Sequence, residues 1–234
     1  MPLQTLRIVE SRRETPRNLV VRLGLGGRPF DFLAGQYVLL GEAGQDDRRP
    51  YSIASAPAEA ARAGLLEFLI QVDEHGSPGP HLPSLDPGRC LTLEGPAGSF
   101  TLPSGPGDAE FLFVAGGTGI APVRSMLVHV LETRPGARVG LVHAARSPEE
   151  LSYAQEFRTL AREGRIRLVE SVTREAPEGW QGTRGRVGAA HLAPLAAGPR
   201  TLAFVCGPDS LVEEIPPVLA ALGVSNTKTE HWAG

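Results

Sequence analysis

Two short stretches carry residue types whose spacing could do chemistry. The first is Ala115-Gly116-Gly117-Thr118-Gly119-Ile120-Ala121-Pro122, which follows the apolar run Phe111-Leu112-Phe113-Val114 and opens an amphipathic segment reaching Thr133. A strand, a glycine turn and a helix start together offer backbone N–H groups and the positive end of a helix dipole to an anion. The turn is neither the dinucleotide fingerprint G-x-G-x-x-G nor a P-loop, since it lacks the Lys-Ser/Thr pair. Alone it reads as an anion site in an α/β domain or as a tight turn. The second stretch is Arg49-Pro50-Tyr51-Ser52-Ile53-Ala54-Ser55, which offers a cation, an aromatic plate and a hydroxyl. Strand alternation puts Arg49 and Tyr51 on one face and Ser52 on the other. An edge strand with a solvated arginine and a half-buried tyrosine would read the same way.

The elements that must position these residues differ between the two halves. Strand-forming segments bounded by Gly or Pro run through the first: Leu3–Glu10, Leu19–Leu25, Gln36–Leu40, Tyr51–Ser55, Leu65–Val72 and Cys90–Glu94. None of the intervening sequence sustains helical periodicity beyond about two turns, which predicts a small antiparallel barrel. Pro103-Ser104-Gly105-Pro106-Gly107-Asp108 reads as a linker. Beyond it, the apolar runs Phe111–Val114, Val139–Ala144, Ile166–Thr173 and Leu202–Cys206 alternate with helical segments, the pattern of a parallel sheet covered by helices. Ser147-Pro148-Glu149-Glu150 predicts a capped helix start, with Leu151, Ala154, Phe157 and Ala161 near helical spacing. The fold class expected is therefore all-β plus α/β, with a six-stranded antiparallel barrel over residues 1–104 and a parallel-sheet domain over 108–234. Ligands of such sheets gather at the carboxyl ends of the strands. The glycine turn, Arg146-Ser147, Thr173-Arg174 and Cys206-Gly207-Pro208 all follow predicted strands, which argues a nucleotide cleft.

Composition narrows the classes. With 234 residues, 41% apolar and 21% charged at net charge −3, the chain has an ordinary core and no basic excess for nucleic acid or an anionic membrane. No apolar run approaches the roughly 20 residues of a membrane span, and the N-terminus has no signal pattern, so the cytoplasm is expected. The two cysteines, Cys90 and Cys206, exclude a four-cysteine metal or iron–sulfur site within the chain; no metal site is expected.

The ordered set Ala34-Gly35-Gln36, Arg49-x-Tyr51-Ser52, the turn at Gly76, Gly95-Pro96-x-Gly98-x-Phe100, Gly116-Gly117-Thr118-Gly119 and Cys206-Gly207-Pro208 resembles the ferredoxin–NADP reductase superfamily over nearly the whole chain. The resemblance implies a flavin-binding barrel and a nicotinamide-nucleotide domain, with FAD preferred to FMN as cofactor and NADPH or NADH as substrate. It implies that Arg49 pairs with flavin phosphate, that Tyr51 packs on the isoalloxazine, and that Ser52 offers a hydrogen bond at its N5. The flavin phosphate turn comprises Gly76, Ser77 and Gly79. It departs from the family's G-x-x-Ser/Thr pattern, because Gly79 stands where the hydroxyl belongs and Pro80 follows, which removes about two donors. Gly116, Gly117, Thr118 and Gly119 then cradle the nicotinamide dinucleotide, and Cys206, Gly207 and Pro208 place a thiol beside nicotinamide C4 for positioning, not nucleophilic attack.

The 2′-phosphate of NADPH needs fixed positive charge, which Arg146, Arg174, Arg184 and Arg186 offer; Thr173-Arg174-Glu175 and Gly182-Thr183-Arg184-Gly185-Arg186-Val187 resemble the segments that hold it in NADP-using members of the family, so NADPH is favoured over NADH. Trp232 is expected to stack on the open flavin face, and Glu230 is a candidate proton relay to the flavin, which completes the expected catalytic set with Ser52 at N5 and Cys206 at nicotinamide C4. The expected function is hydride transfer from NADPH to FAD, followed by electron delivery to a separate acceptor: ferredoxin, flavodoxin, an oxygenase component or a small molecule. Two alternatives stand beside it, a flavin reductase using free flavin and an electron-transfer subunit of a larger complex. A monomer or weak dimer is expected.

Overall fold

The computed structural model describes residues 3–104, 110–174 and 176–231. The linker expectation at 105–108, Glu175 and Trp232 fall outside them. The chain divides into two compact units, the first comprising residues to Pro103 together with Arg124–His129, and the second comprising the remainder.

In the first unit, β1 (Leu3–Thr15), β2 (Asn18–Gly24), β3 (Tyr37–Glu42), β4 (Arg49–Ser52), β5 (Leu65–Gln71) and β6 (Cys90–Ala97) form one antiparallel sheet in the order β4-β3-β6-β1-β2-β5. A bridge between Ile53 and Phe68 joins its two outer strands and closes the barrel. Closure removes the free edges that β4 and β5 would otherwise expose. Inward residues such as Ile8, Val21, Leu23, Val38, Leu40, Ile53, Phe68, Ile70, Leu91 and Leu93 form its core. Gln36 binds two of the family-pattern stretches together: Leu33 N–H donates to its Oε1 at 2.8 Å, and its Nε2 donates to Gly98 O at 3.3 Å. Those stretches therefore shape the barrel itself.

The single helix of this unit's N-terminal part, α1 (Pro57–Ala63), starts with proline and carries Glu59 in its first turn. The Ala56 N–H donates to Glu59 Oε2 at 3.0 Å, so the carboxylate caps its own helix. Arg124, 6% exposed, grips the same carboxylate with two bonds of 2.9 Å and donates also to Ala54 O at 2.9 Å. Burial opposes ionisation of Glu59, but the Arg124 hydrogen bonds and charge outweigh it and hold the carboxyl below its ordinary range.

In the second unit, β7 (Glu110–Gly116), β8 (Arg138–Ala145), β9 (Arg167–Val172), β10 (Thr183–Arg184), β11 (Thr201–Gly207) and β12 (Asn226–His231) form a parallel sheet in the order β10-β9-β8-β7-β11-β12. Every residue of β7 is buried, as expected of a central strand covered on both faces. The helices are α2 (Ile120–Thr133), α3 (Ala154–Arg162), α4 (Ala189–Leu192) and α5 (Asp209–Ala221). In α2, Ile120, Val123, Met126, Leu127 and Val130 are buried at helical spacing.

The helix predicted from Ser147 is different in the structure. Pro148–Glu150 forms one 3-10 turn, and α3 begins only at Ala154. Leu151, Ser152 and Tyr153 are all buried, and Tyr153 takes a left-handed backbone with φ 59°. Three consecutive residues cannot share one helical face, so their burial breaks the segment. The two-residue β10 and the polar β12 were not among the predicted strands; neither carries an apolar run.

The Arg124–Glu59 pair makes a prediction. Glu59→Gln removes the carboxylate that binds a buried guanidinium through two hydrogen bonds and leaves it the more distant Glu67 at 3.8 Å; the loss should cost about 1–3 kcal/mol in urea denaturation at neutral pH. Because the folded-state pKa of Glu59 is lowered, its stabilisation is full above the ordinary glutamate range and is lost as pH falls through the lower folded value. The gap between wild type and variant should therefore close as pH drops below 4.5; a gap of constant size down to pH 3 would contradict the assignment.

Candidate functional site: two nucleotide sites

In the second unit the chain passes from β7 through α2 to β8 on one side, whereas β11 lies on the other side of β7. The sheet thus reverses its order between β7 and β11, and the crevice outside such a reversal is where open parallel sheets bind ligands. Both turns that leave these strands are built on small residues: Gly117-Thr118-Gly119 after β7 and Gly207-Pro208 at the end of β11. After β7 the residues Gly117–Gly119 form one 3-10 turn that feeds directly into α2, with no side chain capping the helix. β11 ends at Gly207, and Pro208 leads into α5.

The two turns touch backbone to backbone. A Cβ at Gly119 would collide with the Cys206 carbonyl and lie 2.8 Å from Gly207 N. One at Gly207 would lie 2.8 Å from Leu211 Cδ2, and one at Gly116 would press on Leu211 and Pro208. Gly117 differs: it is exposed, has φ 56°, and a Cβ there would meet nothing. The glycines at 116, 119 and 207 bring two strand ends together, while Gly117 faces open space as a ligand-side position must.

Cys206 ends this floor fully buried. Burial, and secondarily the Glu230 carboxylate, push its thiol well above the ordinary range, which disfavours the thiolate. Its register partner on β12 is Glu230, half-buried, whose own pKa is raised by burial against the opposing charge of His231. His231 Nδ1 meets Asp209 Oδ1 at 3.1 Å, tying the end of β12 to the first turn of α5.

Next along the carboxyl edge, the chain after β9 hydrogen-bonds to the chain after β8. Thr173 N–H donates to Ala145 O at 3.1 Å and Arg174 N–H to Arg146 O at 2.9 Å. Arg146 and Arg174 are thereby neighbours, both exposed, and neither makes an ion pair among the described residues. Arg184 pairs in register with Val172 and donates weakly to Ala176 O at 3.4 Å. Arg186 is engaged by Glu214 at 2.9 Å.

In the first unit, Arg49, Tyr51 and Ser52 lie on β4, which pairs with β3 so that Ser52 faces Tyr37 and Tyr51 faces Val38. Arg49 is exposed, with Asp47 at 3.8 Å; Tyr51 is half-buried against the core; Ser52 is 7% exposed. Burial, opposed by Arg49, pushes the Tyr51 phenol up to about 12, so it is protonated at neutral pH.

The Gly76 turn has an unexpected economy of donors. Asp73 Oδ1 accepts from both His75 N–H at 2.9 Å and Ser77 N–H at 2.8 Å, and Gly76 N–H donates to Asp73 O at 3.0 Å. The amides of Gly76 and Ser77 are therefore committed within the turn. No helix follows Gly79-Pro80. Two side chains that the sequence reading did not single out lean on this turn. Arg13 from β1 lies against Gly76, where a Cβ would come within 2.6 Å of its Nη2, and His81 lies against Gly79. The turn's two glycine positions were the available signal, since each makes room for a neighbour.

The donor set fits two nucleotides: an anion-facing glycine turn at a sheet reversal with free cations beyond it, and a barrel strand carrying a cation, a phenol and a hydroxyl. This is the constitution of a flavin- and nicotinamide-dependent oxidoreductase. Residues 7–102 match the family model of the oxidoreductase FAD-binding domain and residues 113–216 that of the oxidoreductase NAD-binding domain. The chain is 38% identical over 195 residues to ferredoxin–NADP reductase B of Sorangium cellulosum, covering 80% of this chain and 78% of that one. It is 32% identical over 193 residues to the reductase component of phenol 2-monooxygenase from a Pseudomonas strain, covering 80% of this chain but only 53% of that longer protein. Its fold matches a ferredoxin–NADP+ reductase from Neisseria gonorrhoeae, solved with FAD and NADP bound, with a TM-score of 0.77 over 99% of both chains at 22% identity. The chain belongs to the ferredoxin–NADP reductase superfamily, as an FAD-dependent NAD(P)H reductase. No helix among the described residues is long and apolar enough to cross a membrane.

Gly119→Ala should raise the Kd for the nicotinamide nucleotide at least about tenfold, because the methyl group forces the two turns apart. Gly117→Ala, with open space but a left-handed backbone, should cost only about 1 kcal/mol of stability. Equal affinities for the two variants in isothermal titration would contradict the close approach at Gly119.

Proposed function

We propose that this reductase oxidises NADPH and delivers the electrons to a separate protein acceptor, of the ferredoxin or oxygenase-component kind. The observation that carries the choice of NADPH is the pair Arg146 and Arg174, held side by side through backbone hydrogen bonds at the carboxyl edge. A 2′-phosphate needs fixed positive charge, and guanidinium forks suit it. Arg184 is the third cation in reach of this edge, whereas Arg186 is already neutralised by Glu214. The acceptor class is supported by the relatives: one is a ferredoxin–NADP reductase and another the reductase component of an oxygenase.

When bound, FAD supplies the two-electron acceptor for the nicotinamide and the donor to the partner. The chain's own residues do the positioning. Backbone N–H groups of Gly116–Gly119 and the start of α2 hold the pyrophosphate of NADPH. Cys206, protonated and buried, with Gly207-Pro208 shapes the surface on which the nicotinamide rests. Glu230, whose charged form is disfavoured by burial, is the group at this edge able to hold and return a proton. Arg49 pairs with a flavin phosphate, Tyr51 packs on the flavin ring, and Ser52 offers its hydroxyl near N5. Trp232 is proposed as the aromatic cover of the flavin.

Two measurements test this reading. Purified protein should have a higher kcat/KM with NADPH than with NADH, and Arg146→Ala with Arg174→Ala should lower the NADPH value at least about tenfold while leaving NADH unchanged. Equal losses with both nucleotides would sink the 2′-phosphate assignment. Ser52→Ala should slow flavin reduction in stopped flow with FAD still bound. Loss of FAD from the wild type during gel filtration would instead favour the free-flavin reductase reading, which the committed amides of the Gly76 turn keep specific.

A further inference from the structure

We infer that His81 is a positioning residue for Tyr51 in the flavin site, and that position 79 is glycine because His81 occupies the space a side chain would take. The inference rests on the assignment of Tyr51 to that site.

The geometry is direct. Tyr51 hydroxyl and His81 Nε2 are 2.8 Å apart, and the two rings are stacked with centroids 5.8 Å apart at 27°. His81 is 5% exposed although it lies in a segment without regular structure, and its carbonyl accepts from Glu42 N–H at 3.0 Å. The ring is thus fixed at both ends, by its backbone to β3 and by its side chain to β4. A Cβ at Gly79 would come 2.9 Å from His81 Cε1 and 3.1 Å from Nδ1. A serine or threonine there, as the family pattern has it, would have to displace the imidazole. The departure at Gly79 is therefore an exchange of a turn hydroxyl for a buried imidazole two residues later.

The chemistry of the pair sets its charge. His81 Nδ1 is buried with no hydrogen-bond partner, so an imidazolium would place a charged N–H where nothing accepts it. Burial, and then the charge of Arg49, accordingly hold His81 below its ordinary range, with Asp47 opposing. The ring is neutral, and the Tyr51 hydroxyl and Nε2 share one hydrogen bond whose direction follows the tautomer. A tyrosine on a strand has two side-chain torsions to settle. The hydrogen bond and the stacked ring settle both before any ligand arrives, which lowers the ordering cost of binding.

The test compares His81→Phe, His81→Gln, Gly79→Ser, Tyr51→Phe and the double variant His81→Phe/Tyr51→Phe. Each is scored by FAD Kd from fluorescence titration and by the visible circular dichroism of the bound flavin. His81→Phe keeps an aromatic ring and removes the hydrogen-bond partner of Tyr51; it should weaken FAD about 3- to 10-fold and alter the flavin dichroism. His81→Gln, which can place an amide oxygen near the Nε2 position, should recover most of the affinity. Gly79→Ser should weaken FAD although it restores a hydroxyl, because the imidazole is displaced. The double variant should bind no more weakly than Tyr51→Phe, since His81 acts through that hydroxyl. If His81→Phe binds FAD like the wild type with the same dichroism, if its loss multiplies with that of Tyr51→Phe, or if Gly79→Ser tightens binding, the role given to His81 is wrong. Tyr51→Ala with wild-type affinity and dichroism would overturn the assignment of Tyr51 itself, a separate failure. Should His81→Phe not fold by thermal melt, Gly79→Ser and His81→Gln still decide the question.

Discussion

The second unit depends on one approach of backbone to backbone: Gly119 against the carbonyl of Cys206, with no room for a Cβ between them. It fixes how far the turn after β7 stands from the turn after β11. It also fixes the crevice at the only place in the sheet where strand order reverses. The parallel register of β7 with β11, which pairs Ala115 with Cys206, brings the two turns level. Gly117 is then free to face outward with a left-handed backbone, and α2 begins at once behind it. The proposed anion site is therefore not a property of the glycine turn alone. It is a property of two turns that must both be slender, and Cys206 is buried because its carbonyl lies under Gly119. That burial pushes the thiol well above its ordinary range.

The first unit solves a different problem, because its polar groups sit on a closed barrel whose interior is apolar. Glu67, 4% exposed on β5, is tolerable only because Arg22 meets it at 2.7 Å and Arg124 stands 3.8 Å away. Glu59 serves helix α1 and Arg124 together. Arg49, by contrast, has among the described residues only Asp47 at 3.8 Å as an ion-pair partner, with both side chains more than half exposed. The structural cations are satisfied at close range and the proposed ligand cation is not, a contrast that separates the two uses of arginine on the same barrel. The second unit repeats it, with Arg158 gripping Glu170 at 2.9 Å and Arg186 gripping Glu214, while Arg146 and Arg174 stay without a carboxylate among the described residues.

Most of this architecture was legible from the chain. Runs of β-forming residues between glycines and prolines located all six barrel strands, and the change of periodicity after residue 104 announced the parallel sheet. What was missed had no local signal. The polar β12 is a strand because Phe204, Val205 and Cys206 beside it offer a free edge, not because Asn226-Thr227-Lys228-Thr229 prefers one. The helix expected at Ser147 met every rule for a helix start, and lost to the burial of Leu151, Ser152 and Tyr153. Helix α5 runs through Pro216 and Pro217, which local propensity would forbid, and Val212, Ile215 and Leu219 packed in the core hold it together. At the sites, residue types and their order along the strands could be read directly. Whether a given arginine was already neutralised could not, because Arg186 and Glu214 are 28 positions apart.

The Gly76–His81 segment shows how a motif's departure should be weighed. Counted by donors, it is impoverished: a hydroxyl is missing at 79, an N–H is missing at 80, and the amides of Gly76 and Ser77 are committed to Asp73. Counted by space, it is complete, since Gly76 admits the guanidinium of Arg13 and Gly79 admits the imidazole of His81. The two counts lead to opposite expectations for Gly79→Ser, and they differ because a donor inventory treats each position as independent. Position 79 is not independent of position 81, nor 81 of Tyr51. A small residue beside a large buried one is a single packing decision, and the cost of reversing it falls on the partner the large residue holds. On that basis the proposed flavin site is not weakened at this turn: the space at Gly79 goes to the imidazole that holds the phenol of Tyr51.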